Sequence, residues 1–252
     1  MSDIPEAMNW KLALLVGAIA VPGPIAIALL ALPSLVGAAP TPVPIATLQL
    51  VTAVQGIVLV AITAFLGTLL GHRVGLRAPV LAALVGGDRR DRRGGSLKPQ
   101  LVPAAVGGLM GAGIILAFYG LSPAALRAMQ GDPIPLLARV LYGGITEEVL
   151  IRWGLMSFLA WGFWRLLGRR SGRGLAIAIA LAILLSALVF GLAHVPAVAI
   201  ALNPVPPAIV AYITLGNAAF GLVAGVLFWR YGLEAAILAH MLAHLVAYAI
   251  RG

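Results

Sequence analysis

A chain of 252 residues that is 62% hydrophobic and only 10% charged has too few charges to cover a water-soluble surface, where about 25% is usual. The formal net charge of +9 does not indicate a nucleic-acid binder, because the basic residues cluster between apolar segments, as in loops held on the cytoplasmic side of a membrane. The absence of cysteine excludes disulfides, thiolate catalysis and iron–sulfur ligation.

The expected fold class is all-α: a polytopic transmembrane helical bundle forming a single membrane domain over residues 1–252. Its length accommodates about seven spans of ~20 residues. The spans fall near 10–32, 45–70, 101–119, 136–164, 174–194, 209–229 and 234–250. The first apolar run, Trp10 to Leu32, is preceded by Asp3 and Glu6 and contains a lone Lys11. It lacks the positive leader of a cleaved signal and reads as a membrane helix kinked at Pro22 and Pro24. Loop 33–44 is Pro-rich and uncharged, and so is the charge-free loop 195–208. Loop 71–100 carries Arg73, Arg77, Arg89, Arg90, Arg92, Arg93 and Lys98, and the loop after the fourth span carries Arg165, Arg169, Arg170 and Arg173. Arg230 marks the end of the sixth span.

With the N-terminus in the cytoplasm, all the strongly basic loops fall inside and the uncharged ones outside. Arg127 and Arg139 are the exceptions. The fourth segment is long for one span and is expected to tilt or break near Gly154. Within loop 71–100, the run 86–95 reads as a flexible topogenic loop; contact with anionic lipid is the functional alternative. Ala78–Val85 is expected at the interface. Gly107 and Gly111, and then Asn217, Gly221 and Gly225, recur at four-residue spacing and suit close helix approach. Asn217 can either bond a neighbouring helix or point into a site.

The chemistry concentrates in the fourth, fifth and seventh spans. Glu147-Glu148 precedes Arg152 in an apolar stretch, where each ionisable group costs roughly 2.5–3.5 kcal/mol on insertion scales. Glu148 and Arg152, at i and i+4 with the acid first, form a favourable helical ion pair, and a structural role suits both. Glu147 points about 100° away around the helix and is left as the candidate general base. His194 ends the fifth span, with Phe190 one turn earlier on the same face. His240 and His244 share one face of the last span. At this spacing a His pair can bind zinc, direct two N–H donors at an oxyanion, or join helices. The motifs His-Glu-x-x-His and Gly-x-Ser-x-Gly are missing, and no phosphate loop or dinucleotide fingerprint occurs. Ser157 and Ser186 are expected to bond back to their own helices.

These residues, in this order, resemble the CPBP family of CAAX proteases and bacteriocin-processing membrane proteins. That family carries Glu-Glu-x-x-x-Arg, then Phe-x-x-x-His, then His-x-x-x-Asn on successive helices. Glu147, Glu148 and Arg152 match the first motif, Phe190 and His194 the second, and His240 the start of the third. His244 stands where the family usually has Asn or Asp. The stretch from Tyr231-Gly232-Leu233-Glu234 to His240 fits as well. The resemblance covers about 136–250, the family-like catalytic core; residues 1–119, with their basic loop, are accessory helices.

The resemblance implies an integral membrane endopeptidase of the type II CAAX prenyl endopeptidase kind, in which Glu147 activates a water. His194 then assists it, and His240 and His244 stabilise the oxyanion. Glu148, Arg152, Phe190 and Asn217 support the site. No cofactor is implied. The alternative catalytic design places zinc on His240 and His244 with His194 or Glu147. A non-enzymatic scaffold, immunity-type protein or transporter would reuse the same polar cluster. The expected substrate is a membrane-embedded or lipidated peptide or protein, of CAAX type or of bacteriocin or leader type. An Ala/Gly/Arg-rich composition suits a prokaryotic cytoplasmic membrane. Glu147 and the last-span histidines lie at mid-membrane depth and His194 near an outer helix end. The helices must therefore tilt, or the bilayer edge be indented, for them to meet.

Overall fold

The computed structural model describes residues 8–37, 42–86, 95–127, 134–167, 172–200 and 202–251. The central basic run 87–94, together with Asp3, Glu6, Arg169 and Arg170, falls outside them. The described chain is an all-α bundle without strands. Its helices are α1 (Trp10–Val36), α2 (Ile45–Val74), α3 (Pro79–Leu84), α4 (Lys98–Gly120), α5 (Ala124–Arg127), α6 (136–167), α7 (Gly172–Leu192), α8 (Val195–Ala199), α9 (Pro207–Tyr231) and α10 (Leu233–Arg251).

Six helical stretches, among the described residues, are long and apolar enough to cross a membrane: α1, α2, α4, α7 continued into α8, α9 and α10. The seventh expected span forms as α6 but is not among them. It carries Arg139, Glu147, Glu148 and Arg152, and its polarity is tolerable because other helices enclose it. It runs unbroken through Gly154, wound as π-helix over Arg139–Thr146 and Glu148–Met156. Such winding is rare overall and is frequent at functional sites. The disturbance expected at Pro22 and Pro24 appears as an interruption of α1 at Val21, followed by a π turn at Ile27–Ala31.

Small residues set how closely α6 is packed. Gly154 lies against Thr63 of α2, and Gly144 against Met241 of α10. Thr146 Oγ1 donates to Ala20 O of α1 at 2.6 Å, and Trp153 Nε1 donates to Ala64 O of α2 at 3.2 Å. The glycines read from the sequence do bring helices together. Gly107 and Gly111 of α4 meet Leu227, Phe220 and Ala243, and Gly221 and Gly225 of α9 meet Ala187 and Ile183 of α7. On the outside, Leu50, Val54, Val58, Ile62 and Phe65 of α2 are exposed, an apolar stripe suited to lipid.

Within the segment expected at the interface, Ala78, Leu81 and Ala82 belong to the buried core while Leu84 is exposed. Glu234, at the start of α10, explains this. Its Oε1 accepts from the backbone N–H groups of Val80 and Leu81, both at 2.9 Å, and Leu233 N donates to Arg77 O at 3.0 Å. Ser186 Oγ bonds back to Ile183 O at 3.2 Å as expected. Ser157 does not: its buried Oγ makes no hydrogen bond.

Candidate active site

The paired acids of α6 take opposite environments because successive residues point about 100° apart. Glu148 turns inward and is wholly buried. Its Oε1 lies 3.1 Å from Arg152 Nη1, the ion pair read from the sequence, and 2.8 Å from His240 Nδ1 of α10. Arg152 is equally buried. It donates from Nη2 to Gly221 O of α9 at 3.3 Å and stacks over the Phe190 ring, 4.6 Å from its centroid. One buried carboxylate and one buried guanidinium thus tie together α6, α7, α9 and α10.

Glu147 faces a partly open space. Its Oε1 is 3.9 Å from His194 Nε2, and the two side chains are 17% and 33% exposed respectively. This is beyond hydrogen-bond length but within the span of one shared water. The two side chains expected at different depths therefore do meet: α6 and α7 bring Glu147 and His194 together. His194 Nδ1 lies 2.8 Å from Phe190 O. Since a carbonyl only accepts, Nδ1 carries the hydrogen, and in the neutral ring Nε2 offers its lone pair toward Glu147.

The ring of Phe190 meets His194 edge-on at 4.8 Å and His240 at 6.1 Å. Phe220 of α9 packs on the other side of His240 at 4.5 Å. His240 and His244 stack nearly parallel, with ring centroids 4.9 Å apart and 20° between planes. His244 can approach α6 because residue 143 is glycine; a Cβ there would sit 2.5 Å from His244 Nε2. Asn217 donates to Ile213 O of its own helix at 2.9 Å.

A zinc ion requires lone pairs that converge tetrahedrally. Stacked rings aim theirs side by side, and His240 Nδ1 is engaged by Glu148. Among the described residues, no three His, Asp or Glu side chains are grouped to hold a metal.

Two contacts escaped the sequence reading. The Glu148–His240 bond joins positions 92 residues apart, and no local spacing announces it. Phe220 stands one turn after Asn217, and its packing on His240 has no local signal either.

An all-α polytopic bundle with a locked Glu–Arg–His core beside a half-open Glu–His pair defines an integral membrane protein with a built polar centre. Residues 130–246 match the Rce1-like family model, described as type II CAAX prenyl endopeptidase Rce1-like. Over that segment, a little under half of its length, the chain is similar to this CAAX endopeptidase family. Comparison with curated proteins and with solved structures gives no match.

Proposed function

We propose that the protein is a glutamate-dependent intramembrane endopeptidase acting on membrane-associated peptides or proteins. The observation that carries this reading is the pairing of Glu147 with His194 across 3.9 Å, both half-open to the surroundings. Glu148, by contrast, is sealed by Arg152 and His240.

A water held between Glu147 Oε1 and His194 Nε2 loses a proton to Glu147 as its oxygen attacks the peptide carbonyl carbon. The carbonyl π electrons move to oxygen, and the tetrahedral oxyanion is held by N–H donors of His240 and His244. Collapse breaks the C–N bond. The proton on Glu147, passed directly or through His194, goes to the leaving nitrogen. The products are one carboxylate and one amine, with no redox partner and no metal.

The Glu148–His240 bond gives Glu148 a further role in this scheme. A neutral His240 that donates from Nδ1 to Glu148 has only a lone pair at Nε2. Donation to an oxyanion through Nε2 requires the imidazolium, and the adjacent Glu148 carboxylate is the counter-charge that form needs. Glu148 is then a positioning residue for His240 as well as an anchor for α6.

The substrate is of CAAX type or of leader type, and the enzyme is oriented with its N-terminus in the cytoplasm. The test compares peptide termini in membranes of cells carrying wild-type protein with those of cells carrying Glu147→Gln at equal abundance. Cleaved termini seen only with wild type, reduced on the order of 10²–10⁴-fold by the substitution, are expected. The same termini in both would end the glutamate mechanism.

A further inference from the structure

The two ends of the bundle differ in charge, and the Glu147–His194 pair belongs to one of them. Arg73 and Arg77 follow α2, Lys98 opens α4, Arg165 and Arg173 flank the connection between α6 and α7, and Arg230 closes α9. Packing gathers these positions at one end. Leu233 N, at the start of α10, donates to Arg77 O at 3.0 Å, Gly232 lies against Pro79, and the last part of α6 packs against Gly71–Val74. The sequence adds Arg89, Arg90, Arg92 and Arg93 to the connection between α3 and α4. At the opposite end, the Arg251 guanidinium covers the Tyr119 ring at 3.6 Å, and Phe118 stacks on Tyr212 with ring centroids 4.7 Å apart. The described arginines at that end are Arg127, Arg139 and Arg251.

His194 follows the end of α7 at Leu192 and meets Glu147, in the first half of α6, at 3.9 Å. His244 lies two turns before the end of α10 and lines a cleft of about 80 Å³ together with Tyr119 and Arg251. Toward the basic end the way is filled. Trp153 and Met156 of α6, Phe228 of α9, and Leu233 and Ile237 of α10 are buried in one apolar core, with the Trp153 and Phe228 rings 6.1 Å apart. The wholly buried Glu148 and Arg152 stand between that core and the pair.

We propose that the catalytic centre opens on the membrane face opposite the basic loops, and that its substrate is the membrane-proximal segment of an exported or membrane-anchored protein on that face. Basic connections are retained in the cytoplasm, which places the open end outside it. Hydrolysis needs water, which hydrocarbon does not supply, and the core around Trp153 and Leu233 closes the cytoplasmic approach. Water and the scissile bond therefore arrive from the outer side. Leu192 and Ile200, before and after His194, are exposed and apolar, and they suit an apolar stretch of chain leaving the bilayer. Of the two substrate types named above, the leader type meets this requirement. The substrate class rests on the proteolytic reading; the direction of opening rests on packing and charge alone.

The chain contains no cysteine, so a single introduced cysteine reports orientation without interference from others. Ala193→Cys, beside His194, and Leu166→Cys, near the end of α6, replace exposed residues in the full chain, produced in a bacterial host. Each is treated with a charged, membrane-impermeant maleimide in spheroplasts and in detergent-opened membranes. Ala193→Cys should label as fully in spheroplasts as in opened membranes, whereas Leu166→Cys should label only once the membrane is opened. Leu121→Cys, exposed at the end of α4, takes the place of Ala193→Cys if that variant does not accumulate. Peptide termini produced by wild type and absent with Glu147→Gln should then map to segments outside the cytoplasm.

Labelling of Leu166→Cys in spheroplasts, with Ala193→Cys protected, reverses the orientation and overturns the proposal. An Ala193→Cys thiol that stays unlabelled in opened membranes, where Leu166→Cys reacts, shows a mouth closed to water and overturns it as well. Wild-type-dependent termini in cytoplasmic segments overturn the substrate class even where the labelling is as expected. Labelling as expected without any wild-type-dependent termini ends the proteolytic reading, and the substrate class with it, while supporting the direction of opening.

Discussion

Glu147 and Glu148 are neighbours in sequence, yet replacing each by glutamine should damage different properties. Glu148 is wholly buried, with Arg152 at 3.1 Å and His240 at 2.8 Å. Glu148→Gln leaves the Arg152 guanidinium buried with only Gly221 O and the Phe190 face for company. Removing one partner from a buried pair costs about 3–5 kcal/mol. For a chain of this size that is a fall in Tm of about 6–20 °C. Glu147 faces His194 at 3.9 Å with a partly open side chain, so Glu147→Gln should stay within about 0.5 kcal/mol, or about 2 °C. Unfolding in detergent can be followed through tryptophan fluorescence, since Trp153 is 2% exposed and moves into solvent or detergent as α6 leaves α2. Arg152→Met should lose as much as Glu148→Gln. The double variant should lose less than the sum, because no lone charge is then buried. A Tm for Glu148→Gln within 2 °C of wild type, or equal losses at both glutamates, would refute the assigned environments.

Three further outcomes follow from the packing and the site. Gly191→Ala would drive a Cβ into the backbone carbonyl of Thr214, forcing α7 from α9. A stability loss of about 1–3 kcal/mol should appear as a lower Tm in detergent. Glu234→Gln weakens the two bonds that hold Val80 and Leu81. It should lose about 1–2 kcal/mol and speed hydrogen exchange at those two amides while leaving α7 and α9 protected. His244→Asn retains an N–H donor and should keep cleavage within about tenfold of wild type, whereas His244→Ala should lose about 10²-fold. Measured cleavage rates that fall equally in both would remove His244 from the oxyanion role.

Much of the fold was legible because a membrane span announces itself by local composition. The expected and observed helices agree closely for α2, α4, α9 and α10, which need only an apolar run and a terminal break. The Glu148–Arg152 pair was legible for a related reason: its geometry is set within one helix. Contacts between helices were less accessible. Nothing near Glu148 indicates His240, and nothing near Gly143 indicates that its missing side chain makes room for His244. The packing of Ala78, Leu81 and Ala82 into the core was hidden for the same reason. Nothing beside this apolar segment indicates that Glu234, 153 residues from Leu81, ties it to the start of α10. Ser157 was misassigned because back-bonding is the usual fate of a lone helical serine, and its surroundings are set by other helices.

The polarity of α6 and its central position have one physical cause. A helix with Arg139, Glu147, Glu148 and Arg152 is a poor lipid-facing span, because each charge would need its own solvation in hydrocarbon. Enclosure by α1, α2, α7, α9 and α10 replaces lipid with protein donors and acceptors: Ala20 O for Thr146, Gly221 O and the Phe190 face for Arg152, His240 for Glu148. Glycines on α6 and its neighbours permit that enclosure, and the π-wound stretch keeps Glu148 and Arg152 buried within one unbroken helix. Glu148 and Arg152 are thereby paired with each other inside the bundle, whereas Glu147 retains exposure and faces His194 at 3.9 Å. The position of Glu147, beside a histidine whose other nitrogen is fixed by Phe190 O, is the observation on which the proposed general-base role rests.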